Sequence, residues 1–314
     1  MPVPRQTAVV ITNPAARRAV ALPVLLAAAR ALEPRGWDVT IEVASSRLDA
    51  VERAERHARA GVDAVLACGG DGTLTPVVNG VRAAGDGATT AVGVIPAGTA
   101  NVWAADARIP RDPTRALALL VHGERRRVDL GVAWVAEEPR VRFLLVCGAG
   151  LDAAAVEAVE ARPGWKRLLG RYAYGLVGLA ALASVPAVEA VVSLDGDEER
   201  LPRLFFACAT NTRRYGGVVA LTQRQALDDG LLEVTMFEGD GLWARLSLGL
   251  QAIRGRLDER AVRGIVQRQA SGITITPARS LPVEVDGDAI GHCGPDAPLH
   301  VEVEPRAVTM IVGR

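Results

Sequence analysis

An apolar run, Ala64-Val65-Leu66-Ala67-Cys68, stops on Gly69-Gly70-Asp71-Gly72-Thr73 and resumes from Leu74 with apolar residues at three and four spacing. A strand that ends in glycines and restarts as a helix belongs to a βαβ unit, and so to a parallel sheet covered by helices. The same turn sets bare backbone N–H groups beside a helix N-terminus, a favourable place for phosphate. A second glycine turn, Pro96-Ala97-Gly98-Thr99-Ala100-Asn101, follows the next apolar run, Ala91 to Ile95. The glycines of the first turn remove every Cβ that would block a close backbone approach, while Asp71 and Thr73 add a carboxylate and a hydroxyl. The carboxylate has two readings. It is a ligand for a divalent cation, since Mg²⁺ takes one or two carboxylates with phosphate oxygens and water, or it caps a tight strand-to-helix turn. Two such turns on successive strands favour the phosphate reading.

The alternation extends through about residue 125. Ala8 to Thr12, Val39 to Val43, Asp63 to Cys68 and Ala91 to Ile95 read as strands. Ala19 to Leu32, Leu48 to Ala60 and Leu74 to Ala84 read as the helices between them. In such sheets ligands collect at the carboxyl ends of strands, where both glycine turns and Asn13-Pro14 fall. From about residue 126 the pattern changes to short strands separated by turn residues: Arg127 to Val135, Val141 to Cys147, Val191 to Leu194, Leu204 to Thr210, Leu231 to Phe237, Gly272 to Thr276, Leu281 to Val285, Leu299 to Val303 and Val308 to Val312. Two helical stretches intervene, Asp152 to Ala187 and Leu242 to Gln269. Runs of strands of this kind indicate an antiparallel sandwich. The expected fold is thus an α/β domain over residues 1–125, with a parallel sheet and helices on both faces, and a mostly β domain over residues 126–314. The last residues are left free to return to the first domain.

At 314 residues the chain suits two domains. Its 36 basic and 36 acidic residues cancel, so no global field draws it to nucleic acid. Lys166 is the sole lysine. That excludes a Walker-type loop and a protein-kinase site, both of which need a lysine at a fixed place. Phosphate must be held by backbone, metal or arginine. The four cysteines lie far apart without C-x-x-C spacing, and the four histidines are scattered, so a reduced compartment is expected and a His/Cys metal site is not. Met1 to Arg5 runs straight into a strand without a signal-peptide core. The charge-free stretch Tyr172 to Val188 is broken by Gly and Pro and falls short of the roughly 20 apolar residues that span a bilayer. The expectation is a cytoplasmic protein, with peripheral contact at the inner membrane surface left open.

The ordered series of turns resembles the diacylglycerol kinase catalytic-domain family, which includes bacterial soluble lipid kinases and sphingosine kinases. Its strongest marks are Gly69 to Thr73 and Pro96 to Asn101, preceded by Asn13-Pro14. Gly148-Ala149-Gly150-Leu151-Asp152, Arg171-Tyr172-Ala173-Tyr174, Asn211 with Tyr215-Gly216-Gly217, Leu227-Asp228-Asp229-Gly230-Leu231 and Val285-Asp286-Gly287-Asp288 follow in the expected order. The resemblance implies a nucleotide domain joined to a β-sandwich, with the active site in the cleft between them. It implies that ATP lies across Asn13, Pro14, Ala15, Ala16 and Arg17, across Gly69, Gly70, Asp71, Gly72, Thr73, Leu74, Thr75 and Pro76, and on Gly98, Thr99 and Asn101, with Ser45 the nearest match to a nucleotide-contacting threonine. It implies a structural Mg²⁺ held by Asp229 and the carbonyls of Ala226 and Leu231, where the residues alone read as a solvated hairpin turn.

The family places its general base in the third residue of Asp-Gly-Glu. Here that residue is Asp288, one methylene shorter, with Asp286 as its partner and Asp71 at the phosphates. A carboxylate there could accept the acceptor hydroxyl's proton. Asp195-Gly196-Asp197 is an identical tripeptide, and position in the series favours the later one. Thr75-Pro76 stands where the family has Asn-Glu, the Asn13 loop lacks the usual glycine, and Val102-Trp103 replaces an acidic residue and a smaller aromatic. The implied activity is ATP- and Mg²⁺-dependent phosphorylation of a lipid hydroxyl. An NAD kinase-like phosphotransferase with a soluble acceptor and a weakly catalytic lipid- or nucleotide-binding protein are the alternatives. Two segments could meet the lipid: Trp165 to Leu182, and Leu242 to Ile265, where Trp243, Leu246, Leu248, Leu250 and Ile253 alternate with Arg245, Arg254, Arg256, Arg260 and Arg263. A basic amphipathic helix lies on anionic lipid, or its two sides are simply a core face and a solvated face.

Overall fold

The computed structural model describes residues 5–13, 20–87, 89–160, 185–215, 219–220, 227–253 and 263–314. The chain packs as two compact units, Met1–Asp129 with Pro305–Arg314, and Leu130–Glu304.

In the first unit the chain runs β1 (Gln6–Thr12), α1 (Leu22–Arg30), β2 (Trp37–Val43), α2 (Arg47–Arg59), β3 (Ala64–Gly69), α3 (Asp71–Ala83), β4 (Ala91–Pro96), α4 (Val102–Asp106), α5 (Pro113–Leu117) and α6 (Leu119–His122). Strand order is β2-β1-β3-β4, all parallel. Every residue of β3 and β4 is buried, which explains why both read as unbroken apolar runs. The sheet grows from β1 in both directions, so right-handed crossovers put α1 and α2 on opposite faces. α1 packs on α5 and α2 on α3. The α2–α3 contact is close because Gly80 has no Cβ: one would stand 2.3 Å from the Val51 carbonyl and 2.7 Å from Ala54 Cβ. Ser46 starts α2 by accepting from the Asp49 amide at 3.0 Å.

The chain leaves this unit within β5 (Glu124–Val135) and continues as β6 (Val141–Phe143), β7 (Val146–Gly150), α7 (Leu151–Glu160), β8 (Val188–Leu194), β9 (Asp197–Thr210), β10 (Arg214–Tyr215), β11 (Val219–Ala220), β12 (Leu232–Glu238), α8 (Leu242–Ile253), β13 (Ile265–Ala270), β14 (Gly272–Pro277), β15 (Leu281–Val285) and β16 (Asp288–Cys293). It returns within β17 (Leu299–Val312), whose end pairs parallel with β4 through Thr309 and Met310. The second unit is an antiparallel β-sandwich ordered β16-β15-β7-β9-β8-β14-β17, with β12 on β9 and β13 on β12. Its core gathers Phe143, Leu201, Leu204, Val234, Met236, Ile273, Val283 and Val301, among others.

Several expectations need correction. Val141 to Cys147 is two strands, because Leu144 and Leu145 give their amides to the Asp286 carboxylate at 2.9 and 3.0 Å instead of to a ladder. Leu299 to Val312 is one strand, bent at Arg306 (φ +48°), whose amide donates to the buried Asp129 at 2.6 Å. The stretch Leu242 to Gln269 is not one helix: Gly264 turns at φ +87°, and β13 pairs with β12 from Leu232–Ala270 to Phe237–Ile265. The helical reading of Asp152 to Ala187 holds through Glu160, and a strand begins at Val188; residues 161–184 lie outside the described residues. So does Trp165 to Leu182, one of the two segments expected to meet the lipid. On α8 the expected division of faces fails. Arg245 is buried, its guanidinium donating to the Val185 carbonyl at 2.6 Å and lying over the Phe205 ring, whereas Trp243 is 84% exposed and Leu250 48%. Among the described residues no helix is long and apolar enough to cross a membrane.

Candidate active site

The order β2-β1-β3-β4 places the point where the sheet changes direction between β1 and β3. Open α/β sheets bind ligands outside the carboxyl ends of the strands at such a point. Asn13 and Gly69-Gly70 stand at those two ends, and Ala97-Gly98 follows the end of β4 next to them. Pro14, Ala15, Ala16 and Arg17 lie outside the described residues.

The two glycine turns are locked to each other. A Cβ on Gly70 would be 2.9 Å from Gly98 Cα, and one on Gly98 would be 2.4 Å from Gly70 Cα. Asn101, at φ +50°, folds its side chain back onto Gly98: Oδ1 accepts from the Gly98 amide at 2.9 Å and Nδ2 donates to its carbonyl at 3.0 Å. Asp71 completes the lock, accepting from the Val102 amide at 3.0 Å and the Trp103 amide at 3.3 Å, so it caps α4 across the turn. Burial pushes the Asp71 carboxyl up, against the pull of those two amides and of its own and the Asn101 amide. The capping reading of Asp71 is therefore realised, although on the helix of the other turn.

Other expected contacts are spent inside the unit. Thr73 is 7% exposed and fills the space beside Gly69, whose Cβ would be 2.3 Å from Thr73 Oγ1; its hydroxyl does not face solvent. Leu74, Thr75 and Pro76 are buried, and Val102 and Trp103 are core residues. Pro76 is the sixth residue of α3, beyond the first turn, so the Gly72 carbonyl lacks its usual helical N–H partner. The Ser45 hydroxyl donates to Asp49 at 2.8 Å as part of the α2 start. What stays open is the α3 N-terminus itself. It has no side-chain cap, Gly72 is exposed with nothing within 4 Å of where a Cβ would stand, and Thr99 is exposed. This is a fit for phosphate oxygens held by main-chain amides and a helix dipole.

In the second unit, both Asp-Gly-Asp tripeptides make the same two-residue hairpin turn. Asp286 and Gly287 have φ +48° and +86°, Asp195 and Gly196 +51° and +98°, as a type I′ turn requires. Each leading aspartate pins a neighbouring segment. Asp286 accepts from the amides of Leu144, Leu145 and Val146, and Asp195 from the amides of Ser271 and Gly272 and the Ser271 hydroxyl. Asp286 is thus a structural staple and not the free partner of Asp288. Asp288 is half-buried at the start of β16. The turn at 286–288 also has what its twin lacks: Glu284, 1% exposed, accepts from the Gly287 amide at 2.7 Å, where the twin has Ser193. The sequence pattern missed Glu284. A charged residue between Val283 and Val285, both buried, was the signal.

Asp229 is exposed in a turn, accepting from the Leu231 amide at 3.1 Å. Ala226 lies outside the described residues, and among those described no three His, Cys, Asp or Glu side chains gather into a metal site. A carboxylate has about four lone-pair sites; those of Asp71 are directed at the main-chain amides of Val102, Trp103, Asn101 and its own residue.

Residues 7–133 match the diacylglycerol kinase catalytic domain, and residues 145–312 match the YegS C-terminal NAD kinase beta sandwich-like domain. The chain is 29% identical over 286 residues to a diacylglycerol kinase of Staphylococcus aureus, covering 90% of this chain and 86% of that protein. A crystal structure of a diacylglycerol kinase from Bacillus anthracis matches with a TM-score of 0.72 at 20% identity, over 98% of this chain and 97% of the other. Yeast NADH kinase, crystallised with NADH, matches with a TM-score of 0.56 at 11% identity, over 100% and 85%. At those identities the two structures speak for the fold alone. By its two matched domains, the chain belongs to the diacylglycerol kinase catalytic-domain family.

Proposed function

We propose that this chain is an ATP-dependent lipid kinase that phosphorylates a hydroxyl of diacylglycerol or a related lipid. The observation that carries the reading is the pair of interlocked glycine turns at the sheet's switch point, which leaves the α3 N-terminus uncapped and open at Gly72. The amides at the start of α3 hold phosphate oxygens, Thr99 and Asn13 line the same strand ends, and Asp71 fixes one turn on the other. In the transfer, the lipid oxygen bonds to the γ-phosphorus, the bond from that phosphorus to the β,γ-bridging oxygen breaks, and ADP leaves. The hydroxyl proton passes to the Asp288 carboxylate. Mg²⁺, when bound, would neutralise the phosphates, and Asp71, the first residue of α3, would be the carboxylate beside them.

The test is transfer of labelled γ-phosphate from ATP to mixed micelles of diacylglycerol, monoacylglycerol, ceramide or sphingosine, with NAD and nucleosides as soluble acceptors. Label in a lipid is the expected result. Label only in a soluble acceptor would replace the lipid reading with an NAD kinase-like one, and ATP binding without transfer to any acceptor would leave a binding role.

A further inference from the structure

Glu284 is buried in a way that carboxylates seldom are, and nothing in the reaction above uses it. One oxygen, Oε2, accepts from the Gly287 amide at 2.7 Å. The other, Oε1, has no N–H or hydroxyl donor among the described residues and faces the carboxyl of Asp152, at the start of α7. The two side chains meet over Gly148: a Cβ there would be 2.9 Å from Glu284 Oε1 and 3.4 Å from Asp152 Oδ2, so the glycine makes the room for them. Two ionised carboxylates cannot hydrogen-bond to one another, and a buried pair of like charges is costly. A single proton between them resolves both problems.

We propose that Glu284 and Asp152 share one proton, and that this pair positions the turn presenting Asp288. The second half rests on the reading of Asp288 as the base. The two identical tripeptides provide the internal comparison. Both turns are pinned from one side by their leading aspartate, but only the later one is also held by a buried glutamate, tied in turn to a helix. A structural hairpin manages without that second anchor, as residues 195–197 do. A turn that must hold a carboxylate at a fixed place gains from it.

Burial raises the Glu284 pKa well above the carboxylate range, and Asp152 beside it adds to the rise. The surrounding titratable groups work in the same direction or are neutral thiols: Cys147 on β7, Cys208 on β9 and Asp286 at the turn. The elements packed against β15 also carry Asp288 and His292 on β16, Glu157 on α7, paired with His292 at 3.4 Å, and Arg142 on β6, paired with Glu304 at 2.6 Å. Burial and the carboxyls of Asp152 and Asp286 thus all favour the protonated form of the pair.

The experiment combines three readouts on the full chain. Infrared difference spectroscopy at neutral pH should show the C=O stretch of a protonated carboxyl, lost in Glu284→Gln and in Asp152→Asn. Amide exchange should show the Gly287 N–H protected in the wild type and in Glu284→Gln, whose amide oxygen still accepts and whose NH₂ donates to Asp152, but not in Glu284→Ala. Lipid phosphorylation should fall about 100-fold in kcat for Glu284→Ala, the scale of a misplaced catalytic group, with KM for ATP little changed. Glu284→Gln should turn over at least about tenfold faster than Glu284→Ala and lose any decline in rate that tracks release of that proton in the wild type, because an amide cannot release it. Absence of the carboxyl stretch, or its survival in both variants, overturns the shared proton. A protected Gly287 amide and wild-type turnover in Glu284→Ala overturn the positioning role. A wild type that phosphorylates no lipid sinks the functional reading instead, and the infrared and exchange measurements still decide the pair.

Discussion

Gly70 and Gly98 are needed by each other, and Gly72 by neither. A methyl on Gly98 would press into Gly70 Cα and Asn101 Oδ1 at 2.4 and 2.7 Å, all of it backbone or an engaged side chain. Gly98→Ala should therefore cost about 1–3 kcal/mol in urea unfolding. Gly72→Ala meets nothing within 4 Å, and alanine suits a helix better than glycine, so it should leave stability unchanged or raise it by up to about 1 kcal/mol. It should nonetheless weaken ATP binding in calorimetry, since the methyl stands where phosphate would sit; undiminished affinity would remove the α3 N-terminus from the site. The glycines were legible in the sequence as a close-approach signal. Which neighbour they approach was not, because that depends on how two strand ends lie side by side. Asp71 is the same case: its type was legible, and the helix it caps lies more than a turn away in sequence. Asp49 offers a pH test. The Ser45 amide, then the Arg53 guanidinium and the Ser45 hydroxyl, hold its pKa at about 2, below its ordinary 3.8. A depressed carboxylate adds stability above its unfolded value and loses it as pH falls through the folded one. Asp49→Asn should flatten the acid limb of the urea midpoint between pH 3.8 and about 2, and an acid limb identical to the wild type's would contradict the assignment.

At the scale of elements, the two Asp-Gly-Asp hairpins separate structure from chemistry. Asp286 and Asp195 each satisfy main-chain amides of a neighbouring segment, so replacing either by alanine leaves those donors unpaired and should cost about 2–4 kcal/mol, measured by urea unfolding. Asp288→Asn and Asp197→Asn leave the staples of Asp286 and Asp195 in place and should cost less than the alanine changes. Equal losses at all four positions would undo the distinction. Unbroken apolar runs made β1, β3 and β4 legible, and three-and-four spacing their helices, since burial on both faces or on one stripe dictates those patterns. β13 was hidden, since Ile265-Val266-Gln267-Arg268-Gln269-Ala270 lacks clean alternation and takes its form from pairing with β12. β16 was hidden for the same reason: of its six residues only Cys293 is buried. Arg245 looked like part of a solvated basic face because spacing alone cannot show that the Val185 carbonyl waits for it.

For the whole molecule, the first unit is completed by residues that come last. Val308, Met310, Ile311 and Val312 are buried there, beside β4. Burial of four such side chains is worth on the order of 6–12 kcal/mol, comparable with the net stability of a domain. A chain ending at Glu304 should therefore lose the cooperative unfolding of residues 1–129 followed by circular dichroism, and retention of that transition would show the strand to be dispensable. Sequence could leave room for such a return but could not fix it, because an apolar strand such as Val308 to Val312 pairs with any open edge. The claim that joins these scales is phosphate transfer from ATP to a lipid, with Asp288 taking the proton. The most direct test is transfer of labelled γ-phosphate to diacylglycerol micelles by the wild type, Asp288→Asn and Asp197→Asn side by side. The account predicts labelled lipid from the wild type and Asp197→Asn, with kcat lower by about 100-fold or more in Asp288→Asn, the scale of losing a general base. Equal rates from all three, or no labelled lipid from the wild type, would contradict it.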